Sequence, residues 1–305
     1  MQEEFRILTM PSFDGTKIVT YEWSPSVSPK GVLLIVHGMS EHAKRYNEFA
    51  LNMNKKGLLV FAFDLRGHGL TAGSPEDVFK HINGRDIFNE SVGDIKFFAD
   101  MLIKKYNLPL CVLGHSYGSF LTQGFIESYN KHTCAVLTGS AYMRDVLTMF
   151  GGIVAGTTKT FKGGEAKGKM IFKLSFGSYG KGFENGNWLT RDNTIAKIYL
   201  SDPYCGACPT ADFYKSFFAG LNQITKPSEI AKINKEIPLL ITSGSSDPVG
   251  GKNASLVYKL YNKYAAEGLQ KLEFKIWDDA RHEILNEINR KEIRDYIADF
   301  VLENL

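Results

Sequence analysis

The sequence lacks the features of several large protein classes. Its most apolar run, Val32 to Val36, is far shorter than the roughly 20 residues that a membrane-spanning helix needs. The first ten residues, MQEEFRILTM, include two acids and have neither the basic start nor the apolar stretch of a signal peptide. We therefore expect a cytoplasmic protein without a transmembrane segment.

The net charge is small and cysteines are few. A net charge of +3 over 305 residues, without a zinc-finger or RNA-recognition pattern, excludes nucleic acid as an expected partner. Cys111 and Cys134 lie in apolar runs and predict core positions. The pair Cys205 and Cys208 has the spacing of a zinc or redox half-site, but a second cysteine pair or a histidine pair at ligand spacing is missing. We therefore expect neither a metal nor a cofactor.

What the sequence does contain is a large apolar fraction, 44%, arranged as alternating strands and helices. Two amino-terminal strands, joined at Asp14-Gly15, predict an antiparallel edge. Six continuous apolar runs predict strands that are buried on both faces. These eight segments are 5–10, 17–23, 32–36, 58–63, 110–113, 134–137, 238–242 and 272–277. Apolar residues at helical spacing lie between or after these strands, at 46–53, 92–106 and 293–301. We therefore predict an α/β fold with a mostly parallel eight-stranded sheet and helices on both faces.

The alternation fails between residues 141 and 225, which we interpret as an inserted cap. Residues 1–140 and 226–305 would then form the core domain. The cap has ten basic and six acidic residues, so it is mildly cationic. Its aromatic side chains are candidates for an acyl channel: Phe150, Phe161, Phe172, Phe176, Phe183, Phe213, Phe217 and Phe218. The same rings could instead form the core of the cap, because aromatics at helical spacing usually pack inside.

A candidate nucleophile stands in the motif Gly114-His115-Ser116-Tyr117-Gly118, between a predicted strand and a predicted helix. This context is that of a nucleophile elbow, in which the serine occupies a strained turn. Gly114 and Gly118 would let the neighbouring backbone approach without a Cβ clash. The amino end of the following helix would point its dipole at a developing oxyanion.

A serine hydroxyl needs a base, and His282 is the best candidate among seven histidines. It follows the last strand, and active sites of open parallel sheets gather at the carboxyl ends of strands. We expect the other six histidines to be structural or solvated, with the His115 side chain directed away by its turn; they are His37, His42, His68, His81, His115 and His132.

The predicted acid is Asp247, in the turn-rich segment that follows the strand 238–242. Asp278 and Asp279 are rivals, but they share the loop of His282. The order Ser116, Asp247, His282 is that of α/β-hydrolases and differs from the chymotrypsin and subtilisin orders.

Together the motifs resemble those of monoacylglycerol lipases and bacterial lysophospholipases of the α/β-hydrolase superfamily, over nearly the whole chain. They are His37 to His42, Arg45-Tyr46, Asp64 to Gly69, the elbow at Ser116, Ser201 to Pro203, Cys205-Gly206 and Arg281 to Glu283. The resemblance implies the same triad and an oxyanion hole formed by the backbone N–H groups of Met39 and Tyr117. The geometry of a nucleophile elbow indicates the same two donors, because one N–H belongs to the residue after the nucleophile and the other to the loop after Val36.

The resemblance also implies a substrate class, namely small-molecule or lipid-like monoesters cleaved through an acyl-enzyme, with contact to lipid surfaces. The shared chemistry leaves alternatives open: a small-ester or hydroxycinnamoyl esterase, a thioesterase, a peptidase or a carbon–carbon hydrolase. A non-catalytic ligand-binding protein with the same fold is a further alternative. A carboxylate-dependent dehalogenase or epoxide hydrolase is excluded, because Ser116 occupies the elbow.

Overall fold

The computed structural model describes residues 5–82, 84–143, 146–174 and 176–305, and the side chains of residues 146–150 and 176 lie outside this description. The described residues contain eight strands. These are β1 Arg6–Pro11, β2 Lys17–Trp23, β3 Gly31–Val36, β4 Leu58–Phe63, β5 Leu110–His115, β6 Cys134–Thr138, β7 Leu239–Gly244 and β8 Leu272–Trp277. None of the described helices is long and apolar enough to cross a membrane.

The eight strands form one sheet in the order β1-β2-β4-β3-β5-β6-β7-β8. The pairs β1–β2 and β2–β4 are antiparallel, and all later pairs are parallel. The predicted α/β-hydrolase sheet with its antiparallel edge is therefore confirmed. The continuous apolar runs arise because successive side chains enter opposite cores. In β3, Leu34 packs into the core on one face of the sheet and Leu33 and Ile35 pack into the core on the other face.

Helices cover both faces. They are α1 Asn47–Lys55, α2 Gly69–Ala72, α3 Ile87–Tyr106, α4 Tyr117–Ile126, α5 Val146–Lys162, α6 Lys169–Leu174, α7 Phe176–Tyr179, α8 Asn193–Ser201, α9 Ala211–Ile224, α10 Pro227–Ile230, α11 Ser255–Ala266 and α12 Arg290–Glu303. The apolar faces of α1 and α12 pack into one core, whereas α3, α4, α9 and α11 contribute to the other. Helix α4 starts directly after Ser116.

Six of these helices, α5 to α10, lie between β6 and β7, where the strand pattern fails in the sequence. We keep the term cap for residues 141–225, and this division of the chain stays a prediction. Helix α5 packs along α9, with Val154, Ala155, Ile171 and Tyr214 in a small core of their own. The loops that follow β3, β5, β7 and β8 meet beneath these helices, because parallel strands end at the same edge of the sheet.

Candidate active site

Ser116 occupies the strained turn between β5 and α4. Its φ of 52° and ψ of −120° lie outside the regions that serine usually adopts. A Cβ on Gly114 would meet the carbonyl of Gly118, and a Cβ on Gly118 would meet the carbonyl of Val36. Both positions therefore require glycine, as an elbow of this kind demands.

His282 and Asp247 form a buried pair. The Nδ1–H of His282 donates to the Asp247 carboxylate over 2.9 Å, and the Val249 N–H donates to the other Asp247 oxygen, also over 2.9 Å. Burial raises the pKa of Asp247, but the charge of His282 and the hydrogen bonds from His282 and Val249 together outweigh burial, so this pKa lies below its ordinary value. Burial lowers the pKa of His282, but Asp247 and the nearby carboxylates of Glu283 and Glu41 together raise it above its ordinary value of 6.5. The rivals Asp278 and Asp279 are exposed to solvent.

Ser116 and His282 line the same small cavity, of about 20 Å³, together with Met39 and Trp188. The Trp188 ring lies 4.9 Å from the His282 ring. On the other side, Gly139 has a φ of +58° and leaves room for His282, because a Cβ there would lie 2.9 Å from the ring. The His282 imidazole is therefore held between the Trp188 ring of the cap and Gly139, which follows β6.

The loop after β3 passes beside the nucleophile elbow. A Cβ on Gly38 would lie 3.2 Å from the Ser116 Cβ. The Nδ1–H of His37 donates to the Gly38 carbonyl over 2.8 Å, because the Leu65 N–H occupies its other ring nitrogen. Since the Gly38 carbonyl and the Met39 N–H belong to one trans peptide, this bond directs the N–H the opposite way.

Glu41 holds the same loop from a second side. Its carboxylate accepts the Gly38 N–H over 2.6 Å and the Tyr46 hydroxyl over 3.0 Å. Among the described residues, no acceptor takes up the N–H of Met39 or of Tyr117. Two backbone donors are thus available close to Ser116, where an oxyanion hole would lie.

A buried charge cluster lies behind this loop. The Arg45 guanidinium donates to both oxygens of Glu283 at 2.8 Å and also binds Glu41. Burial lowers the pKa of Arg45, but the two carboxylates raise it well above its ordinary value. With two carboxylates and one guanidinium, the cluster has one negative charge in excess, which also raises the pKa of His282.

An apolar cavity of about 360 Å³ opens on Ser116. Its described lining includes no acidic or basic side chain. The aromatic lining consists of Tyr117, Phe120, Tyr179, Trp188, Tyr214, Phe217 and Phe218. The predicted Phe217 and Phe218 are therefore in the wall, and Tyr117 is part of it as well.

Several of the other predicted channel rings do not reach this cavity. Phe161 is 81% exposed, because it faces outward on α5, and Phe183 lies under the Arg281 guanidinium at 4.8 Å. Phe213 is buried against Tyr117, and Phe172 does not belong to the lining. The side chains of Phe150 and Phe176 lie outside the described residues.

One group of described side chains is close enough to share a cation: His42, Asp202 and Cys205, whose ligand atoms lie within 4.8 Å of one another. His42 and Asp202 already bind each other over 2.8 Å, which joins the core to the cap. Burial raises the pKa of the Cys205 thiol. Cys205 and Cys208 are both free, so the pair is not a disulfide.

Sequence reasoning assigned no active-site function to three histidines that lie here. The sequence predicts that the His115 side chain points away, but its ring lies 4.8 Å from the His282 ring, because His115 is the last residue of β5 and reaches across to the loop after β8. His37 and His42 lie on either side of Met39 in the loop after β3, which we call the Met39 loop. Their position in the motif His37 to His42 could have indicated a role at the site. Their hydrogen-bond partners could not be predicted, because those partners are distant in the sequence.

Comparison with known proteins shows the family of the chain. The family model Hydrolase_4, described as serine aminopeptidase S33, matches residues 27–289. The monoacylglycerol lipase of Mycolicibacterium smegmatis is 28% identical, and the match covers 95% of each chain. Human monoglyceride lipase is 27% identical over 90% of this chain and 82% of its own.

Solved structures show the same fold. A thermostable carboxyl esterase from Bacillus coagulans has a TM-score of 0.87 at 24% identity, over 99% of both chains. A monoglyceride lipase from Saccharomyces cerevisiae has a TM-score of 0.74 at 18% identity, over 99% of this chain and 94% of its own. The chain therefore belongs to the serine aminopeptidase S33 family of α/β-hydrolases, in which it is similar to monoacylglycerol lipases.

Proposed function

We propose that this protein is a serine carboxylic ester hydrolase that cleaves single-chain, lipid-like monoesters, such as monoacylglycerols or lysophospholipids. The observation that carries the proposal is the position of Ser116, a strained serine at the wall of an apolar cavity, beside the buried His282–Asp247 pair. Similarity to two monoacylglycerol lipases, over 95% and 90% of this chain, supports the same substrate class.

In the proposed mechanism, Nε2 of His282 takes the proton of the Ser116 hydroxyl as Oγ attacks the ester carbonyl. Asp247 keeps the proton on Nδ1 and stabilises the imidazolium. The N–H groups of Met39 and Tyr117 stabilise the oxyanion of the tetrahedral intermediate. His282 then protonates the leaving alcohol, and water cleaves the acyl-enzyme by the same steps.

The cavity favours an acyl chain over an amino acid. An aminopeptidase must bind a charged α-amino group, and burying a charge without a partner is costly. The described lining of the larger cavity offers no carboxylate, and the two carboxylates beside the small cavity, Glu41 and Glu283, are already paired with Arg45. Its apolar surface instead matches an acyl chain, for which each buried methylene contributes about 0.8 kcal/mol.

Exposed apolar side chains on α5 and α6 support contact with a lipid surface, and we call them the outer face of the cap. They are Ile153, Phe161, Met170 and Leu174, which are exposed by 55% to 81%. Leu174 also lines the apolar cavity, so the cavity approaches the surface at this face. Four exposed lysines accompany these residues and favour anionic lipids: Lys162, Lys169, Lys173 and Lys181.

Vesicle sedimentation should detect binding of the wild-type protein, and the double variant Phe161→Glu, Leu174→Glu should bind more weakly. Equal binding by this variant would refute lipid contact at this face.

The test of the activity is the chain-length profile. We expect kcat/KM to rise from p-nitrophenyl acetate through butyrate to octanoate or laurate, all below their aggregation limits, and we expect 1-monoacylglycerols to be cleaved. Amino-acid p-nitroanilides and acyl thioesters complete the panel. A profile that peaks at acetate would favour a small-ester esterase, and a preference for the anilide would favour a peptidase.

A fluorophosphonate should label Ser116. A protein that shows neither turnover nor labelling would be a binding protein.

A further inference from the structure

We propose that Tyr199 is a positioning residue for hydrolysis, which acts through Ser40 to hold the oxyanion donor Met39 in place. The inference rests on the proposed function, because it concerns the oxyanion hole of that reaction. It also assigns a second task to the cap, which would complete the polar site as well as enclose the acyl chain.

The first observation is the set of contacts around Ser40, the residue that follows Met39. Its carbonyl accepts the N–H of Gly206 over 2.9 Å and the hydroxyl of Tyr199 over 3.1 Å. Its own hydroxyl donates to the carbonyl of Ala207 over 2.9 Å. All three partners belong to the cap, about 160 residues away in the sequence.

The second observation is the backbone of Ser40, which is 1% exposed and has a φ of 59°. A serine in the left-handed region is unfavourable by itself and persists where its surroundings fix it. The three cap contacts supply that constraint. On the other side of Met39, His37 and Glu41 hold Gly38 from the core. The Gly38–Met39 peptide is therefore fixed by core contacts on one side and cap contacts on the other.

The position of Tyr199 is itself fixed. Its ring lies under the Arg45 guanidinium at 4.8 Å, and Asp202, one turn further along the cap, binds His42 of the same loop. Because an oxyanion donor works only within about 2.7 to 3.1 Å of the developing charge, a small displacement of Met39 affects the transition state more than substrate binding. Loss of the Tyr199 hydroxyl should therefore lower kcat and leave KM almost unchanged.

The cap offers a matched control in Tyr204. Its hydroxyl also donates from the cap to a core carbonyl, that of Gly73, over 3.0 Å. Gly73 follows α2 and does not belong to the Met39 loop. Tyr199→Phe and Tyr204→Phe thus remove the same group from the same segment. If these bonds only dock the cap, neither variant should lower kcat selectively.

The experiment compares both variants with the wild type on a p-nitrophenyl ester and with a trifluoromethyl ketone, which forms a tetrahedral adduct. For Tyr199→Phe we expect kcat to fall about tenfold, the affinity for the ketone to fall by a similar factor, and KM to change less than about twofold. For Tyr204→Phe we expect all three values to stay within about twofold of the wild type. Equal effects of the two variants, or a change of KM alone for Tyr199→Phe, would overturn the proposal.

Hydrogen exchange of the segment 37–46 provides a readout that does not need turnover. Tyr199 also lines the small cavity beside Ser116, so its hydroxyl could act on the substrate directly. A positioning role predicts faster exchange in this segment for Tyr199→Phe and not for Tyr204→Phe, without substrate present. Unchanged exchange in both variants would refute positioning. A wild-type protein that cleaves no ester would refute the proposed function, and the exchange result would still decide whether Tyr199 holds the loop.

Discussion

The two sides of the candidate site differ in almost every physical property. The floor consists of core loops, in which buried charges are paired: His282 with Asp247, and Arg45 with two carboxylates. The wall of the larger cavity is apolar, and much of it comes from cap helices. A charged floor can stabilise a transition state, whereas an apolar wall distinguishes substrates by the area they bury. We therefore expect changes in the floor to alter kcat for every substrate, and changes in the wall to alter the preference among substrates.

The largest effect should come from the floor. His282→Ala should lower kcat by about four to six orders of magnitude for short and long esters alike, because Ser116 loses its base in the proposed mechanism. The matched control is His115→Asn, which changes the neighbouring ring, 4.8 Å away, and should cost about tenfold or less. Steady-state rates on acetate and laurate esters measure both. Comparable losses in the two variants would mean that His282 is not the base.

A change in the wall should be smaller and selective. Val154 lines the cavity, and Val154→Trp should fill part of it, lowering kcat/KM for the laurate ester by about two orders of magnitude. The acetate ester should change by less than about threefold, since it does not occupy that space. Ile153→Trp adds the same ring to the outer face of α5, where Ile153 is 65% exposed, and should leave the profile unchanged. A uniform loss across chain lengths in Val154→Trp would contradict the division between floor and wall.

The floor and the wall also differ in how far the sequence could predict them. Residues fixed by local rules were predictable: the elbow at Ser116 follows from strand, turn and helix, and Asp247 and His282 follow from their positions after neighbouring strands. The contacts of Ser40 with Tyr199 were not, because no local pattern states which cap residue meets which core loop. Phe161 illustrates the limit for the wall. Its helical spacing is compatible with an inward position, but the rotation of α5 on α9 turns it toward solvent.

The electrostatics of the floor predict its pH dependence. In the proposed mechanism His282 must be neutral to accept the serine proton, so kcat/KM should rise with pH through one ionisation above the ordinary value of 6.5. Glu283 contributes to the raised pKa of His282, after Asp247. Glu283→Gln leaves Arg45 paired with Glu41 and should therefore shift this ionisation to lower pH. Glu292→Gln removes the same charge from the exposed surface and should not shift it; equal profiles for all three proteins would show that the buried cluster does not act on His282.

The smallest effect on activity is expected from Glu127, a buried carboxyl outside both the floor and the wall. It lies at the carboxyl end of α4, opposite the end that follows Ser116, and one of its oxygens has no partner among the described residues. Burial raises its pKa to about 9. The paired carboxylates of the floor, Asp247 among them, show the opposite direction, with a pKa below the ordinary value.

This difference has a consequence for stability. Between about pH 4.5 and pH 9 the folded protein keeps a proton on Glu127 that the unfolded chain releases, so this group lowers stability as pH rises through that window. Glu127→Gln, which cannot ionise, should therefore increase the free energy of unfolding by about 1 to 3 kcal/mol near pH 8. The gain should vanish below about pH 4, where both states are protonated. Thermal unfolding at pH 4 and pH 8 measures this difference, with kcat on the octanoate ester unchanged. A gain that is equal at both pH values would mean that Glu127 is not the titrating group.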